Sequence, residues 1–181
     1  MKKTRLFIGI PINKGIIEMF HPLKKKYCHN EGIRWLTDNN LHITTCFLGN
    51  IEYNKINDII LQLEKLLSNV VRFNLVFDCF QLSPKRNPYM IWAKFNKDIS
   101  FTELSISLRR LFKIELNKIN NPVPHITLAR FNKKIRIDEI IFPQNFPRFE
   151  IKVKKIVLYK SILKSSGAEY FQIKDFNTKN S

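Results

Sequence analysis

The sequence predicts an α+β protein in which antiparallel strands outnumber helices, the helices pack outside, and the two halves are alike. Three observations carry this. Short β-prone runs follow one another as hairpins, three amphipathic stretches are spaced between them, and a His-Ile-Thr tripeptide occurs once in each half, at residues 42–44 and 125–127. With 181 residues, 44% of them hydrophobic, the chain has enough apolar surface for one domain spanning 1–181.

Taken in order, "TRLFIGIPI" is a first buried strand. Its basic start imitates a secretory leader, but Gly9 and Pro11 interrupt the apolar run and no small-residue cleavage site follows. Ile16, Ile17, Phe20, Leu23 and Tyr27 recur at three- and four-residue steps, a helical stripe that Pro22 divides. "IRWLT" and "LHITTCFLG" read as strands separated by the turn-forming "DNN". From Asn54 to about Ser68 one apolar face (Ile56, Ile59, Ile60, Leu63, Leu66, Leu67) predicts a helix, with Asn54 as its cap. "FNLVFDCFQLS" and "YMIWAKF" are paired strands across the proline-bearing "PKRNP". Ser100 to Glu103 matches a capping box, behind which Leu104, Leu108, Leu111 and Phe112 continue a third helix. "NNPVP" breaks the chain before the second His-Ile-Thr strand. The rest reads as strand, "FEIKVKKIVLYKSILK" and "YFQIKDF" about a turn at "SSGAE".

Composition narrows function. Cys28, Cys46 and Cys79 are far apart and form no CxxC pair, which argues against a disulfide framework or a zinc site and for a reducing cytoplasm. No apolar run reaches the ~20 residues that span a bilayer, so no membrane role is expected. Lys and Arg total 31 against 15 Asp and Glu, a net charge of +16. Such an excess attracts polyanions, nucleic acid above all. The basic residues are scattered, however, and a lysine- and asparagine-rich genome would leave the same mark, so charge alone decides nothing.

The repeated tripeptide says more. Side chains alternate along a strand, so His42 and Thr44 share one face and His125 and Thr127 another, with Ile43 and Ile126 turned to the core. Facing each other across a groove, the two pairs suit acid–base chemistry on a phosphate. One imidazole takes a proton, the other gives one, and the threonine hydroxyls bond anionic oxygens. That design requires neither metal nor cofactor. By the same alternation Cys46 shares the His42 face, as a wall residue rather than a nucleophile, while Arg130 falls on the wrong parity unless the strand bulges. Trp35, Phe47 and Trp92 are expected in the core, with stacking on a base as the alternative. His21 and His29 lack a strand context and read as surface or helix positions.

Together these residues resemble the 2H phosphoesterase superfamily, named for two HxT motifs, and within it the prokaryotic RNA 2',3'-cyclic phosphodiesterases, also called 2'-5' RNA ligases. The likeness runs through "RLFIGIP", "IRWLTDNNLHITTCFLG", "FQLSPKRNPYMIWAKF", "VPHITLARF" and "LYKSILKSSGAEYFQI". It implies a bilobal, pseudo-symmetric fold in which two antiparallel sheets form a central cleft. It also implies metal-independent hydrolysis of RNA 2',3'-cyclic phosphate ends to 2'-phosphates. His42 would then be the proton donor, His125 the acceptor, and Thr44, Thr127 and Arg130 the substrate-binding groups. Substrates would be RNA with cyclic ends, tRNA fragments among them, handled by a cytoplasmic monomer that also joins ends through 2'-5' linkages. Two alternatives stay open: an RNA-binding module without catalysis, and a related enzyme acting on 2'-5' oligoadenylate or a cyclic ADP-ribose phosphate.

Overall fold

The computed structural model describes residues 2–115, 122–132, 135–165 and 167–180. Asn120 and Asn121 of the expected "NNPVP" break, and Ser166 of the expected closing turn, lie outside them. Among the described residues there are nine strands: β1 (Lys3–Pro11), β2 (Ile33–Trp35), β3 (His42–Glu52), β4 (Phe73–Ser83), β5 (Met90–Phe95), β6 (His125–Phe131), β7 (Glu150–Val153), β8 (Lys155–Lys164) and β9 (Gly167–Asn177). Four helices accompany them: α1 (Lys14–Met19), α2 (His21–Lys26), α3 (Ile56–Leu67) and α4 (Ile99–Leu111). The apolar stripe after β1 is divided as expected, with Phe20 between α1 and α2 and Pro22 in the first turn of α2.

The spatial strand order is β7-β4-β5-β6-β3-β1-β8-β9, with β2 paired to β6, and every ladder among these strands is antiparallel. Two halves are evident, β7-β4-β5-β6 and β3-β1-β8-β9. They meet at a single residue pair, Ile43 opposite Ile126. Both isoleucines are fully buried in the main core, with Leu63 and Leu67 of α3 and Phe101, Leu104 and Leu108 of α4. That face is closed by helices. The opposite face carries a small separate cluster of Phe7, Val157 and Tyr159, with Tyr170 packed on it.

Strands lie ~4.8 Å apart, so in a flat sheet β9 would stand roughly 14 Å from β3. Instead the Tyr170 ring lies edge-on to His42 with centroids 4.9 Å apart. The sheet is therefore curled, and β9 leans back over the end of β3.

Three local expectations need correction. α3 starts behind a 3-10 turn, Tyr53–Lys55, which places Lys55 rather than Asn54 at the cap position, without a side-chain cap bond. α4 is capped two residues before Ser100: Asp98 accepts from Phe101 N–H at 2.8 Å, and Thr102 Oγ1 donates to the Asp98 carbonyl. With the helix begun two residues earlier, the Thr102 N–H within reach of a Ser100 cap is already bonded to the Asp98 carbonyl at 3.1 Å. Finally, the long closing strand is two. β7 pairs with β4, the chain breaks at Lys154, and β8 pairs with β1 in the other half.

Candidate active site

Around the Ile43–Ile126 pair, both His-Ile-Thr strands turn their histidine and threonine away from the helices. By the alternation about that pair, His42 and Thr44 on β3 and His125 and Thr127 on β6 flank it on the face away from the helices. Both motif histidines and both threonines thus share the curled face, and each is partly exposed.

The imidazoles are held alike. His42 Nδ1 lies 2.7 Å from the Asn40 carbonyl, and His125 Nδ1 lies 2.8 Å from the Val123 carbonyl. In each case the partner is the residue two before the histidine. A carbonyl only accepts, so Nδ1–H donates, and Nε2 of the neutral ring keeps its lone pair. His42 Nε2 is 3.1 Å from Thr44 Oγ1, so the hydroxyl donates to it in the neutral state. Burial pushes His42 down to about 4, helped by the His125 charge and opposed by the Asn40 carbonyl. His125 is likewise lowered by burial and opposed by Val123.

Several supporting residues escaped the sequence reading. Asn40 belongs to "DNN", whose composition signals only a turn. Its Nδ2 donates to Ala168 O at 2.8 Å and its Oδ1 accepts from Tyr170 N–H at 3.2 Å, so the residue whose carbonyl orients His42 is clamped to β9. Phe7 tilts against His42 at 4.7 Å and stacks on Tyr159 at 4.9 Å. Gly9 is required for close approach: a Cβ there would come 2.9 Å from Ile43 O and 3.4 Å from His42 Cδ2. On the other side, Trp92 stacks on His125 with centroids 3.6 Å apart and planes 20° from parallel. Trp92 therefore lines the cleft rather than filling the core, and its buried indole N–H has no hydrogen-bond partner among the described residues. Trp35 packs against the core as expected.

Each motif ends in a β-bulge at the same position. β1 pairs Ile8 with Cys46 and Gly9 with Thr44, leaving Thr45 as the extra residue; its hydroxyl donates to Ile8 O at 3.0 Å. β5 pairs Ile91 with Ala129 and Trp92 with Thr127, leaving Leu128 extra. A bulge reverses the alternation beyond it. Cys46 accordingly enters the core instead of the cleft wall, where burial raises its thiol to about 11 against the opposing effect of Arg109. A thiol so protonated is no nucleophile. Phe47, expected in the core, emerges 58% exposed beside Phe7, with centroids 6.0 Å apart. Arg130 comes round to the His125 face, opposite Met90, whose sulfur accepts from its guanidinium at 3.2 Å. Phe47 and Arg130 each stand five residues after a motif histidine, one on either flank of the site. His21 and His29 lie outside it, His21 pairing with Asp38 at 2.9 Å and His29 exposed.

Among the described residues no helix is long and apolar enough to cross a membrane. The RNA 2',3'-cyclic phosphodiesterase of Aquifex aeolicus is 27% identical over 184 residues, covering 97% of this chain and 98% of that protein. That of Methanocaldococcus jannaschii is 28% identical over 180 residues, covering 95% and 99%. Among solved structures, TT0787 of Thermus thermophilus superposes with a TM-score of 0.77 at 22% identity, covering 97% of this chain and 98% of that one. E. coli LigT in apo form gives 0.75 at 22% identity, covering 99% and 100%, and LigT complexed with 3'-AMP gives 0.76 at 21%, covering 98% and 99%. These likenesses share the curled two-half sheet. With residues 20–163 matching the family as a whole, the chain belongs to the 2'-5' RNA ligase superfamily.

Proposed function

We propose that this protein hydrolyses 2',3'-cyclic phosphate ends of RNA to 2'-phosphomonoesters, using His125 as base and His42 as acid. One observation carries the reading: two imidazoles share one face about a single cross-strand pair, each fixed through Nδ1 so that Nε2 is the working nitrogen. Full-length relatives named for this activity, and a fold that in E. coli LigT accommodates 3'-AMP, support it.

In the reaction, neutral His125 Nε2 removes a proton from water. The oxygen attacks phosphorus opposite the 3' oxygen, the P–O3' bond breaks, and protonated His42 Nε2 delivers its proton to O3'. A 2'-phosphate and a 3'-hydroxyl remain, and the two rings reset by proton exchange with solvent. Thr44 and Thr127 donate to the nonbridging oxygens, and the Arg130 guanidinium adds positive charge on the His125 flank. In the free site burial disfavours both imidazolium forms. An incoming phosphodiester anion reverses that bias, and the Thr44 hydroxyl then turns from His42 to the substrate. A 5'-hydroxyl taking the place of water at the same phosphorus yields a 2'-5' linkage, the joining reaction for which the superfamily is named.

The test is incubation with a 2',3'-cyclic mononucleotide in EDTA, following appearance of the 2'-monophosphate. Loss of turnover in both His42→Ala and His125→Ala supports the assignment; unchanged turnover in either removes that histidine from the chemistry. A module that only binds RNA turns nothing over. Faster cleavage of 2'-5' oligoadenylate or of a cyclic ADP-ribose phosphate would move the protein to a different substrate class.

A further inference from the structure

The strand order ends at β9, which among the described residues pairs with β8 and with no further strand. Backbone groups of successive residues point to alternate sides of a strand, so one edge of β9 carries N–H and C=O groups that β8 does not take. Two of them are bonded by a single side chain. Asn40 Oδ1 accepts from Tyr170 N–H at 3.2 Å, and Asn40 Nδ2 donates to Ala168 O at 2.8 Å. A carboxamide presents an acceptor and a donor side by side, as a strand residue does, and here it stands in for a strand partner. It closes the curl of the sheet, joining the last strand to the 3-10 turn, Asp38–Asn40, that leads into β3.

The same residue orients one of the imidazoles, since the Asn40 carbonyl accepts from His42 Nδ1–H at 2.7 Å. The Tyr170 ring stands edge-on to that imidazole, so β9 holds His42 twice, through Asn40 and through its own aromatic. Little else fixes this end of β3. His42 stands opposite Pro11, which has no N–H to give to the ladder. The turn's own backbone bonds, Asn40 N–H to Thr37 O and Leu41 N–H to Asp38 O, set its shape but not its place against the sheet. Its other tie is the half-exposed bridge from Asp38 to His21 and Lys24 of α2. His125 is held by different means. Pro124, between that histidine and its partner carbonyl, accepts from Phe95 N–H at 2.9 Å and so extends the β5–β6 ladder. One motif is thus anchored by sheet backbone and the other by a side chain that a single substitution removes.

We infer that Asn40 is a positioning residue for the reaction: its carboxamide bonds the free edge of β9 and thereby holds the carbonyl that keeps His42 Nε2 aimed at the leaving oxygen. The inference rests on the phosphodiesterase reading of the His42–His125 site. With the clamp in place the neutral ring carries its proton on Nδ1, and Nε2 is the nitrogen that exchanges a proton with substrate. Without it the turn lifts from β9, the Asn40 carbonyl leaves Nδ1, and the ring is free to hold its proton on Nε2 or to swing. A misplacement of about 1 Å costs up to roughly 100-fold in rate. His125, anchored through β5, keeps its geometry.

The test compares wild type with Asn40→Ala, which removes both side-chain bonds, and with Asn40→Asp. The aspartate keeps an acceptor for Tyr170 N–H but sets a carboxylate oxygen against the Ala168 carbonyl. The readouts are exchange of the Tyr170 amide proton, the ring-nitrogen NMR shifts of both histidines, and kcat and KM on a 2',3'-cyclic mononucleotide. In Asn40→Ala the Tyr170 amide should exchange roughly tenfold faster. The His42 tautomer should move away from Nδ1–H while that of His125 stays. Turnover should fall roughly 10- to 100-fold in kcat, with KM within about twofold. Asn40→Asp should lie between alanine and wild type in each readout. A Tyr170 amide that exchanges no faster overturns the clamp. Faster exchange with an unchanged His42 tautomer and kcat overturns the positioning role, as do equal shifts in both histidines, which mark a general loosening. If Asn40→Ala does not fold, Asn40→Asp decides by the same readouts. Exchange and tautomer need no substrate, so a wild type inactive on the cyclic nucleotide overturns the phosphodiesterase reading while those two still judge the clamp.

Discussion

Replacing Trp92 by leucine tests how the site supports its base. When His125 takes a proton from water it becomes an imidazolium face-on to the indole, at the 3.6 Å centroid separation of the neutral pair. A cation over a tryptophan face gains ~0.5–1 kcal/mol when exposed and ~2 when desolvated. Both rings are half-buried, so about 1.4 kcal/mol is the working figure. That energy is roughly tenfold in the step where His125 carries charge. It also favours protonated His125 in the free enzyme, so without it the ring gives up its proton at lower pH. The acid-side rise of kcat/KM should therefore move about one pH unit lower in Trp92→Leu. Trp92→Phe, which keeps an aromatic face, should lie between leucine and wild type. The assay is kcat/KM on a 2',3'-cyclic nucleotide across pH, with the His125 ring proton followed by NMR in the same variants. A folded leucine variant with unmoved limb and unchanged rate refutes the reasoning. A loss equal at every pH would show a purely structural role. A phenylalanine variant as impaired as leucine would transfer the effect from the ring face to the unpartnered indole N–H.

Because burial lowers both imidazoles, the singly protonated free enzyme is most abundant on the acid side of 6.5. The bell of kcat/KM should peak below 6.5, while kcat, which reports the anion-bound site, should peak at higher pH; coincident optima would contradict this. The same burial makes His42 a source of acid lability. Its folded value of about 4 lies below the unfolded 6.5, so the stability present above 6.5 is lost as pH falls, by at most about 3 kcal/mol at pH 4 and less in so far as the cleft admits water. Urea midpoints at pH 7 and 4 should converge in His42→Gln relative to wild type. Gly9→Ala forces a Cβ to within 2.9 Å of Ile43 O and should cost roughly 1–3 kcal/mol, read as a lower Tm, together with a kcat loss from displacement of His42.

Much of the site was legible because its chemistry is local. His-Ile-Thr fixes which side chains share a face over three residues, and the strands hold that alternation through Thr44 and Thr127. Beyond them it failed twice, for one reason. The bulged residues Thr45 and Leu128 are themselves neither glycine nor proline, and the bulges depend on how β1 and β5 pair from outside the motif. Cys46, Phe47 and Arg130 were therefore each read on the wrong face or conditionally. Likewise Lys152 and Lys154 keep one alternation across a point where the chain leaves β4 for β1. Nothing in the pattern marks that departure, since either neighbour buries the same apolar face. Trp92 was assigned to the core on residue type, although its position between buried Ile91 and Ala93 already pointed it the other way.

The bulges also make the flanks of two otherwise alike motifs differ. His42 and His125 have matching tautomers, matching carbonyl partners and matching threonines, so nothing within the motifs tells acid from base. The distinction arises five residues on, where one strand shows an aromatic ring and the other a guanidinium. Were a nucleotide's base to rest on the exposed face of Phe47, its ribose would lie on the His42 side and O3' would leave toward His42. The open side of the phosphorus would then face His125 and Arg130, where water would enter for displacement opposite O3'. Exchanging the two residues, Phe47→Arg with Arg130→Phe, would reverse which flank favours the base while leaving both histidines in place. If orientation is set there, the exchange should slow hydrolysis far more than either imidazole's titration changes; if the motifs alone define acid and base, turnover should survive it.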